Sequence, residues 1–105
     1  RAAFGMVGLE IAVPMLLKLV EDGVLTPSRM VDAMSCAPAR NFNIDGGTLK
    51  SGAVADITII NPSSPFEIDP GTFESKAINT PFAGIWAPGR TVCTIVEGKV
   101  VYSQI

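Results

Sequence analysis

Histidine is absent from this 105-residue sequence, which therefore lacks the side chain that most often binds metals in proteins. Lysine and arginine form no cluster, and the net charge of -2 argues against nucleic acid or an anionic membrane as a partner. The longest apolar run, Ile11 to Leu17, is far too short to span a bilayer and contains Pro14.

Cysteine is scarce as well. The only two, Cys36 and Cys93, show no metal-ligand spacing, and we interpret both as buried thiols. A reducing cytoplasm fits this usage, and no signal peptide is visible, so we expect a cytoplasmic location. The sequence alone leaves a disulfide between the two open.

Charge is low for a chain of this size. Charged residues make up 17%, against about 25% in ordinary soluble domains, while apolar residues reach 48% before the ten glycines are counted. A small domain has more surface per residue than a large one and should be more polar than this. The composition, with a start at Arg1 rather than methionine, predicts a fragment that is meant to be covered by something else.

Helical patterns occupy the first part of the chain. Apolar residues between Leu9 and Glu21 recur at helical spacing, with Pro14 in the first turn and Gly23 as the C-cap. Thr26 and Pro27 then predict the N-cap and first residue of a second helix. A third helical segment is predicted from Pro38 to about Phe42, and the second helix should bury a stripe formed by Met30, Val31 and Met34.

Strand patterns follow from about residue 47. Residues 56–60 are rich in β-branched side chains, and residues 66–69 alternate apolar and acidic side chains. The pair Glu97-Gly98 predicts a two-residue hairpin turn between strands at 91–96 and 99–102, because Gly98 supplies the positive φ that such turns need. Residues 69–71 are predicted to form a turn and residues 79–84 an ordered loop.

Five segments carry a family resemblance. The stretch from Gly47 to Ile60 resembles the entry into the C-terminal β-sandwich of amidohydrolase-superfamily enzymes. Four more segments, which occur in family order, narrow the resemblance to the dihydroorotases, in particular the bacterial class with a separate sandwich domain. They are Phe4 to Glu10, Pro38 to Arg40, Asn79 to Gly84, and the hairpin that ends in Glu97 to Tyr102.

The resemblance implies an incomplete α+β fold of two parts. Residues 1–46 would hold the last helices of a (β/α)8 barrel and a helical connection. Residues 47–105 would be the C-terminal share of the amidohydrolase composite β-sandwich. We therefore expect exposed apolar helix faces, open strand edges and self-association when this chain is alone.

Family chemistry is implied only for a longer protein. Dihydroorotases are zinc hydrolases that interconvert N-carbamoyl-L-aspartate and dihydroorotate in pyrimidine synthesis, with metal ligands that this sequence does not contain. We expect no catalytic residue and no metal ligand in this chain, and no activity from it alone. Zinc would be bound elsewhere in the intact enzyme.

One substrate-binding element is implied within the chain. A family loop of the form Ala-Pro-Phe-Gly offers backbone groups to dihydroorotate, and Ala3, Phe4 and Gly5 match its last three positions with Ala3 in place of proline. This loses the fixed φ of proline. A second departure is Ala37, where the family often has asparagine before Pro-Ala-Arg; if Ala37 were an N-cap, the loss would be about 1 kcal/mol.

The other polar and aromatic residues have structural interpretations. We expect Asp56 to accept backbone N–H bonds at a turn, and Glu10 to complement a helix start. Arg40 should bridge the helical and β parts. Trp86 and Phe82 should pack rather than stack on a ligand.

Two further hypotheses stay open. The parent could be a non-catalytic dihydroorotase-like partner of aspartate carbamoyltransferase, which only sequence upstream of this chain can decide. It could also be a related cyclic amidase, such as an allantoinase or dihydropyrimidinase. The loop at residues 79–84 favours dihydroorotase over these relatives.

Overall fold

The computed structural model describes residues 5–105, with helices first and strands second, so the α+β class is confirmed. Short 3-10 turns at Leu9–Ile11 and Pro70–Thr72 precede the first helix and follow the second strand. The helices are α1 (Ala12–Glu21), α2 (Pro27–Val31) and α3 (Ala37–Asn41), with a π-helical turn at Asp32–Cys36. The strands are β1 (Ile57–Asn61), β2 (Phe66–Glu67), β3 (Trp86–Ala87), β4 (Arg90–Val96) and β5 (Lys99–Ser103).

Helix α1 begins and ends as its sequence predicts. Pro14 is the third residue, where a missing N–H costs no intrahelical bond. At the other end the N–H of Gly23 donates to Val20 O at 3.1 Å, and the N–H of Val24 donates to Leu19 O at 2.9 Å. These two bonds form a Schellman motif, so Gly23 terminates the helix as expected.

The second helical region is longer than predicted. Thr26 Oγ1 accepts from the N–H of Arg29 at 3.1 Å, which confirms the N-cap, but the chain then stays helical without a break to Asn41. The N–H of Ala37 donates to Asp32 O, five residues back, and this wider turn accommodates Pro38 inside a continuous helix. Ala37 is therefore not an N-cap, and the predicted loss of a cap does not apply.

Strands β1, β4 and β5 form an antiparallel sheet in the order β1-β4-β5. Ile57 pairs with Ile95 at one end of β1 and Asn61 with Arg90 at the other, with a shift in register between Ile59 and Ile60. Strands β4 and β5 are joined by the predicted two-residue turn, in which Glu97 and Gly98 have φ values of 50° and 80°. Positive φ at both positions is the type I′ geometry that matches strand twist.

A second, two-stranded sheet joins the helical part of the molecule to the β part. Strand β2 pairs with β3, and next to them Ile68 and Ala87 are each 1% exposed. Ile11, at the start of α1, packs with both. Half-buried apolar side chains surround this cluster: Met15, Phe66, Phe73 and Phe82.

Gly89 lies at a close approach of two backbone segments. A Cβ atom at this position would lie 2.3 Å from Asn61 O and 2.6 Å from Pro62 Cα, far inside contact distance. Gly89 immediately precedes β4, whose first residue Arg90 pairs with Asn61 of β1. Only glycine fits where the chain enters this sheet.

Many apolar side chains of the described residues are exposed, as the composition predicts. Leu9 is 95% exposed and Phe42 75%, and all five residues of β5 are exposed. Several expected core residues are among the exposed ones. The stripe on the second helix buries only Met30, since Val31 and Met34 are about half exposed, and Trp86 is 61% exposed rather than packed. No helix in residues 5–105 is long and apolar enough to cross a membrane.

Candidate functional site

The predicted substrate-binding segment lies at the start of the described chain. Ala3 and Phe4 fall outside the described residues, and Gly5 is exposed with a φ of 75°. The carbonyl oxygen of Gly5 accepts a hydrogen bond from Nδ2 of Asn79 at 2.8 Å. The structure thus places one of the three predicted residues against the loop at residues 79–84, another segment that carries the family resemblance.

Asn79 contacts the first segment through its backbone as well. Its carbonyl oxygen accepts from the N–H of Val7 at 2.9 Å, so one residue bonds to two positions of the segment. Val7 is nearly buried, whereas Gly5 is exposed. Residues 5–8 belong to no helix or strand, and these bonds connect them to a loop more than 70 residues away.

Glu10 makes a second connection between the same two regions. Its carboxylate oxygens accept from the N–H groups of Glu74 at 2.9 Å and Ser75 at 3.0 Å. The prediction that Glu10 complements a helix start is incomplete. Glu10 does lie in the first turn of the 3-10 segment, but its hydrogen bonds are to a distant loop. A carboxylate satisfies two neighbouring backbone N–H groups well because it offers two acceptor oxygens.

These connections border an open groove. Its volume of about 1360 Å³ exceeds the 300–1,000 Å³ typical of small-ligand clefts. Its lining comes from residues 6–14, from residues 66–79, which include β2, and from β4, β5 and Gln104. The side chains of Glu10, Glu67, Asp69 and Glu74 make the groove predominantly acidic, and Arg90 is the one basic residue among its described lining residues.

Arg90 is held against an aromatic ring. Its guanidinium carbon lies 4.4 Å from the centre of the Phe66 ring, within the range of a cation–π contact. Its Nε atom is buried without a hydrogen-bond partner in the described part of the chain. Arg90 therefore orders the junction of the two sheets.

Asp56 has the structural role predicted for it. Its Oδ1 accepts from the N–H of Glu97 at 2.8 Å, while the neighbouring Ala55 O accepts from the N–H of Gly98 at 2.9 Å. Sequence indicated a turn close to Asp56, whereas the partner turn lies 41 residues further along. Asp56 thus fixes the hairpin to the segment that enters β1.

Arg40 and the cysteines complete the predicted candidates. Arg40 pairs with Asp32 at 3.1 Å within the helical part, so the prediction that it bridges to the β part is wrong. Both cysteines are free thiols, with Cys93 buried and Cys36 only half-buried at 3.5 Å from Gly47 O. Phe82 packs against the core cluster as expected.

Metal binding does not fit the residues described. Within residues 5–105 no three His, Cys, Asp or Glu side chains converge on one point, and the whole sequence has no histidine. The acidic side chains along the groove therefore form no group of three that could bind one metal ion. A zinc ion therefore has no set of ligands in the described chain.

Comparison with known proteins establishes the class. The model of the amidohydrolase family matches residues 4–101, and the chain belongs to this family. Curated dihydroorotases are among its relatives, which confirms the predicted resemblance. The dihydroorotase of Geobacter sulfurreducens is 53% identical over 100 residues, which is 95% of this chain, and that of Geobacter metallireducens is 49% identical over 99% of it. The chain spans about a quarter of the length of these relatives, 24% in both cases.

Solved structures give the same fold with lower sequence identity. The L-hydantoinase (dihydropyrimidinase) of Arthrobacter aurescens superposes with a TM-score of 0.92 at 36% identity, covering 98% of this chain and 24% of that one. A D-hydantoinase from Thermus sp. superposes with a TM-score of 0.89 at 29% identity, covering 96% of this chain and 23% of that one. The dihydroorotases are thus closer in sequence than these hydantoinases.

Two residues at the site were missed by sequence reasoning. Asn79 was noted only as the first residue of an ordered loop, and Glu10 only as a residue near a helix start. The segments that contain them, Phe4 to Glu10 and Asn79 to Gly84, both carry the family resemblance. Their joint occurrence in the resemblance was the signal that connects the two segments, and the structure brings them together.

Proposed function

We propose that this chain is part of a dihydroorotase, a cyclic-amide hydrolase that interconverts N-carbamoyl-L-aspartate and dihydroorotate in de novo pyrimidine synthesis in the cytoplasm. The observation that carries the proposal is identity of 42–53% to curated dihydroorotases over nearly the whole chain. The hydrogen bonds between two of the resembling segments add support, because they bring these segments together in one place.

In this proposal the described elements belong to two larger units. Residues 1–46 complete the outer layer of a (β/α)8 barrel, and residues 47–105 form the C-terminal share of a composite β-sandwich. The exposed side chains on the helices and on β5 support this, since such surfaces are normally covered. The large open groove is consistent with a neighbouring segment of the same protein.

The contribution of this chain to catalysis is substrate binding through Ala3, Phe4 and Gly5. Their backbone groups would hydrogen-bond dihydroorotate, a role that needs position rather than a particular side chain. Zinc would be held by residues outside this chain, since the described residues offer no suitable ligand set. We assign no proton transfer to any residue described here.

An assay of the full-length protein tests the proposal. We expect it to hydrolyse dihydroorotate and to cyclise carbamoyl-aspartate, and we expect the 105-residue chain alone to do neither. A hydantoin and dihydrouracil serve as competing substrates in parallel. A full-length enzyme that turns over these two and leaves dihydroorotate untouched would contradict the proposal.

Two alternatives would show themselves in the same experiment. A hydantoinase-like cyclic amidase is favoured by the superposition on the L-hydantoinase, and it would prefer the hydantoin. A non-catalytic partner of aspartate carbamoyltransferase would turn over nothing, yet would co-purify with that enzyme. The lower identity to the hydantoinases ranks the first alternative below dihydroorotase.

For the isolated chain, we propose that the partner is a second copy of the same chain. Exposed apolar residues on the helices and β5 would be buried between copies, because no other part of the protein would cover them. Sedimentation of the isolated chain over a range of concentrations should show dimers or larger species. In the full-length protein these surfaces are covered, so they should not cause association. A monomer at high concentration would contradict the proposal.

A further inference from the structure

We propose that Asn79 is a positioning residue for the substrate-binding segment, holding the Gly5 carbonyl so that the backbone preceding it meets dihydroorotate correctly. The inference rests on the proposed function and extends it to a residue 74 positions away in the chain. The observation that supports it is the pair of hydrogen bonds that Asn79 makes to Gly5 and Val7.

The two bonds have different consequences for the segment. The backbone bond from Val7 to Asn79 O persists with any residue at position 79. The side-chain bond reaches two residues closer to Ala3 and Phe4, and Nδ2 of Asn79 is its donor at 2.8 Å. Of these two bonds, the side-chain bond is therefore the one nearer to Ala3 and Phe4.

Gly5 needs such a bond more than another residue would. Its φ of 75° lies in the left-handed region, which glycine enters and leaves freely. Apart from its chain neighbours, no atom of the described residues lies within 4 Å of where its Cβ would be, so packing against residues 5–105 does not restrict it. The amide of Asn79 holds the carbonyl oxygen of the Gly5–Met6 peptide and so restricts rotation about ψ of Gly5.

Glu10 binds the part of the chain just before the loop at residues 79–84, at residues 74 and 75. Its bonds to the N–H groups of Glu74 and Ser75 keep the loop beside the segment even when the Asn79 side chain is removed. Loss of the Asn79 amide should therefore release Gly5 locally and leave the loop itself in place. This makes a change in substrate binding separable from a loss of folding.

The interaction depends on the Nδ2 donor of Asn79 rather than on the size of its side chain. An aspartate at position 79 would have nearly the same shape but could not donate to the Gly5 carbonyl, and its carboxylate would repel that oxygen. Asn79→Asp therefore removes the interaction with little change in packing. Asn79→Ala removes the interaction and the side chain together.

The experiment measures KM and kcat for dihydroorotate in the full-length enzyme carrying Asn79→Ala or Asn79→Asp. A loss of one hydrogen bond that positions substrate should raise KM about threefold to tenfold for Asn79→Ala, and at least as much for Asn79→Asp. The kcat per active site should stay within about twofold of wild type. Purely structural damage would lower the amount of active enzyme and leave KM unchanged.

Asn61→Ala is the matched control. Asn61 also uses its side-chain amide group in a hydrogen bond, but the bond is local, from the N–H of Ser63 to Oδ1 at 2.9 Å. We expect this variant to keep wild-type KM. If it raises KM as much as the Asn79 variants, the effect is general and the proposal is wrong.

The remaining outcomes are also decisive. Wild-type KM in both Asn79 variants would overturn the inference while leaving the proposed function intact. A wild-type enzyme without activity on dihydroorotate would overturn the proposed function, and this inference with it. If Asn79→Ala does not fold, Asn79→Asp alone decides the question, since its packing is nearly unchanged.

Discussion

In two parts of the molecule a carboxylate accepts hydrogen bonds from the backbone of a distant segment. Asp56 holds the hairpin turn through the N–H of Glu97, and Glu10 holds the loop at 74–75 through two N–H groups. The hairpin already has strand pairing on both arms, whereas residues 5–8 belong to no helix or strand. The same kind of bond should therefore add stability in the first region and determine position in the second.

The two regions should also respond differently to substitutions. A paired sheet can lose one side-chain hydrogen bond and keep its geometry, because the backbone hydrogen bonds on both sides of that position remain. An irregular segment that loses a brace can move without unfolding the rest. Substitutions in the sheet should thus be detected by unfolding, and substitutions along the segment by substrate binding.

Gly89→Ala should have the largest effect and tests the rigidity of the sheet. The new Cβ would meet Asn61 O at 2.3 Å, so β1 and the entry to β4 must separate. We expect a loss of about 1–3 kcal/mol or more in the free energy of unfolding, measured by urea denaturation of the full-length protein.

Gly46→Ala is its control, because no atom of the described residues beyond its chain neighbours lies within 4 Å of the added Cβ, and the φ of Gly46 is not positive. This variant should unfold within about 0.5 kcal/mol of wild type. Equal stability of the two variants would show that the backbone near Gly89 is not rigid.

Asp56→Ala should have an intermediate effect, confined to stability. Removing the acceptor of the Glu97 N–H should cost about 1 kcal/mol, a small value because both groups are exposed and water replaces the lost partner. Asp56→Asn retains an acceptor oxygen and should be closer to wild type. A rise in KM for dihydroorotate in either variant would contradict the separation between the two regions.

Glu10→Ala should have the smallest effect on stability and a measurable effect on binding. It removes both acceptors of the loop at 74–75, so we expect KM to rise about twofold to fivefold with little change in unfolding. Glu10→Gln keeps one acceptor oxygen and should lie between Glu10→Ala and wild type. If Glu10→Ala lowers the free energy of unfolding more than Asp56→Ala does, the proposed difference between the two regions is wrong.

Local signals account for the features that could be predicted. Thr26, Gly23 and the Glu97-Gly98 turn each act within a few residues, and each is found where its pattern indicated. The α+β class followed from the change in periodicity near residue 47, and the amidohydrolase family from the order of five motifs.

Features that depend on distant partners could not be predicted in the same way. The bonds of Glu10 and Asn79 join residues 64 to 74 apart, and nothing in either segment specifies the other. Arg40 was expected to reach the β part, but Asp32 offers a carboxylate within the same helical run. Trp86 was expected to pack, yet it lies on a surface that this chain does not cover.

The π-helical turn at Asp32–Cys36 has a consequence for how the helical region is wound. In a regular α-helix, residues eight apart are separated by about 12 Å along the axis and by more than two turns. Asp32 and Arg40 nevertheless form an ion pair at 3.1 Å across the wider turn. If the same residues were wound as a regular α-helix, Arg40 would lie about 80° around the axis from Asp32. The extra residue of the wider turn therefore keeps Asp32 and Arg40 on one face of the helical region, where the two side chains pair.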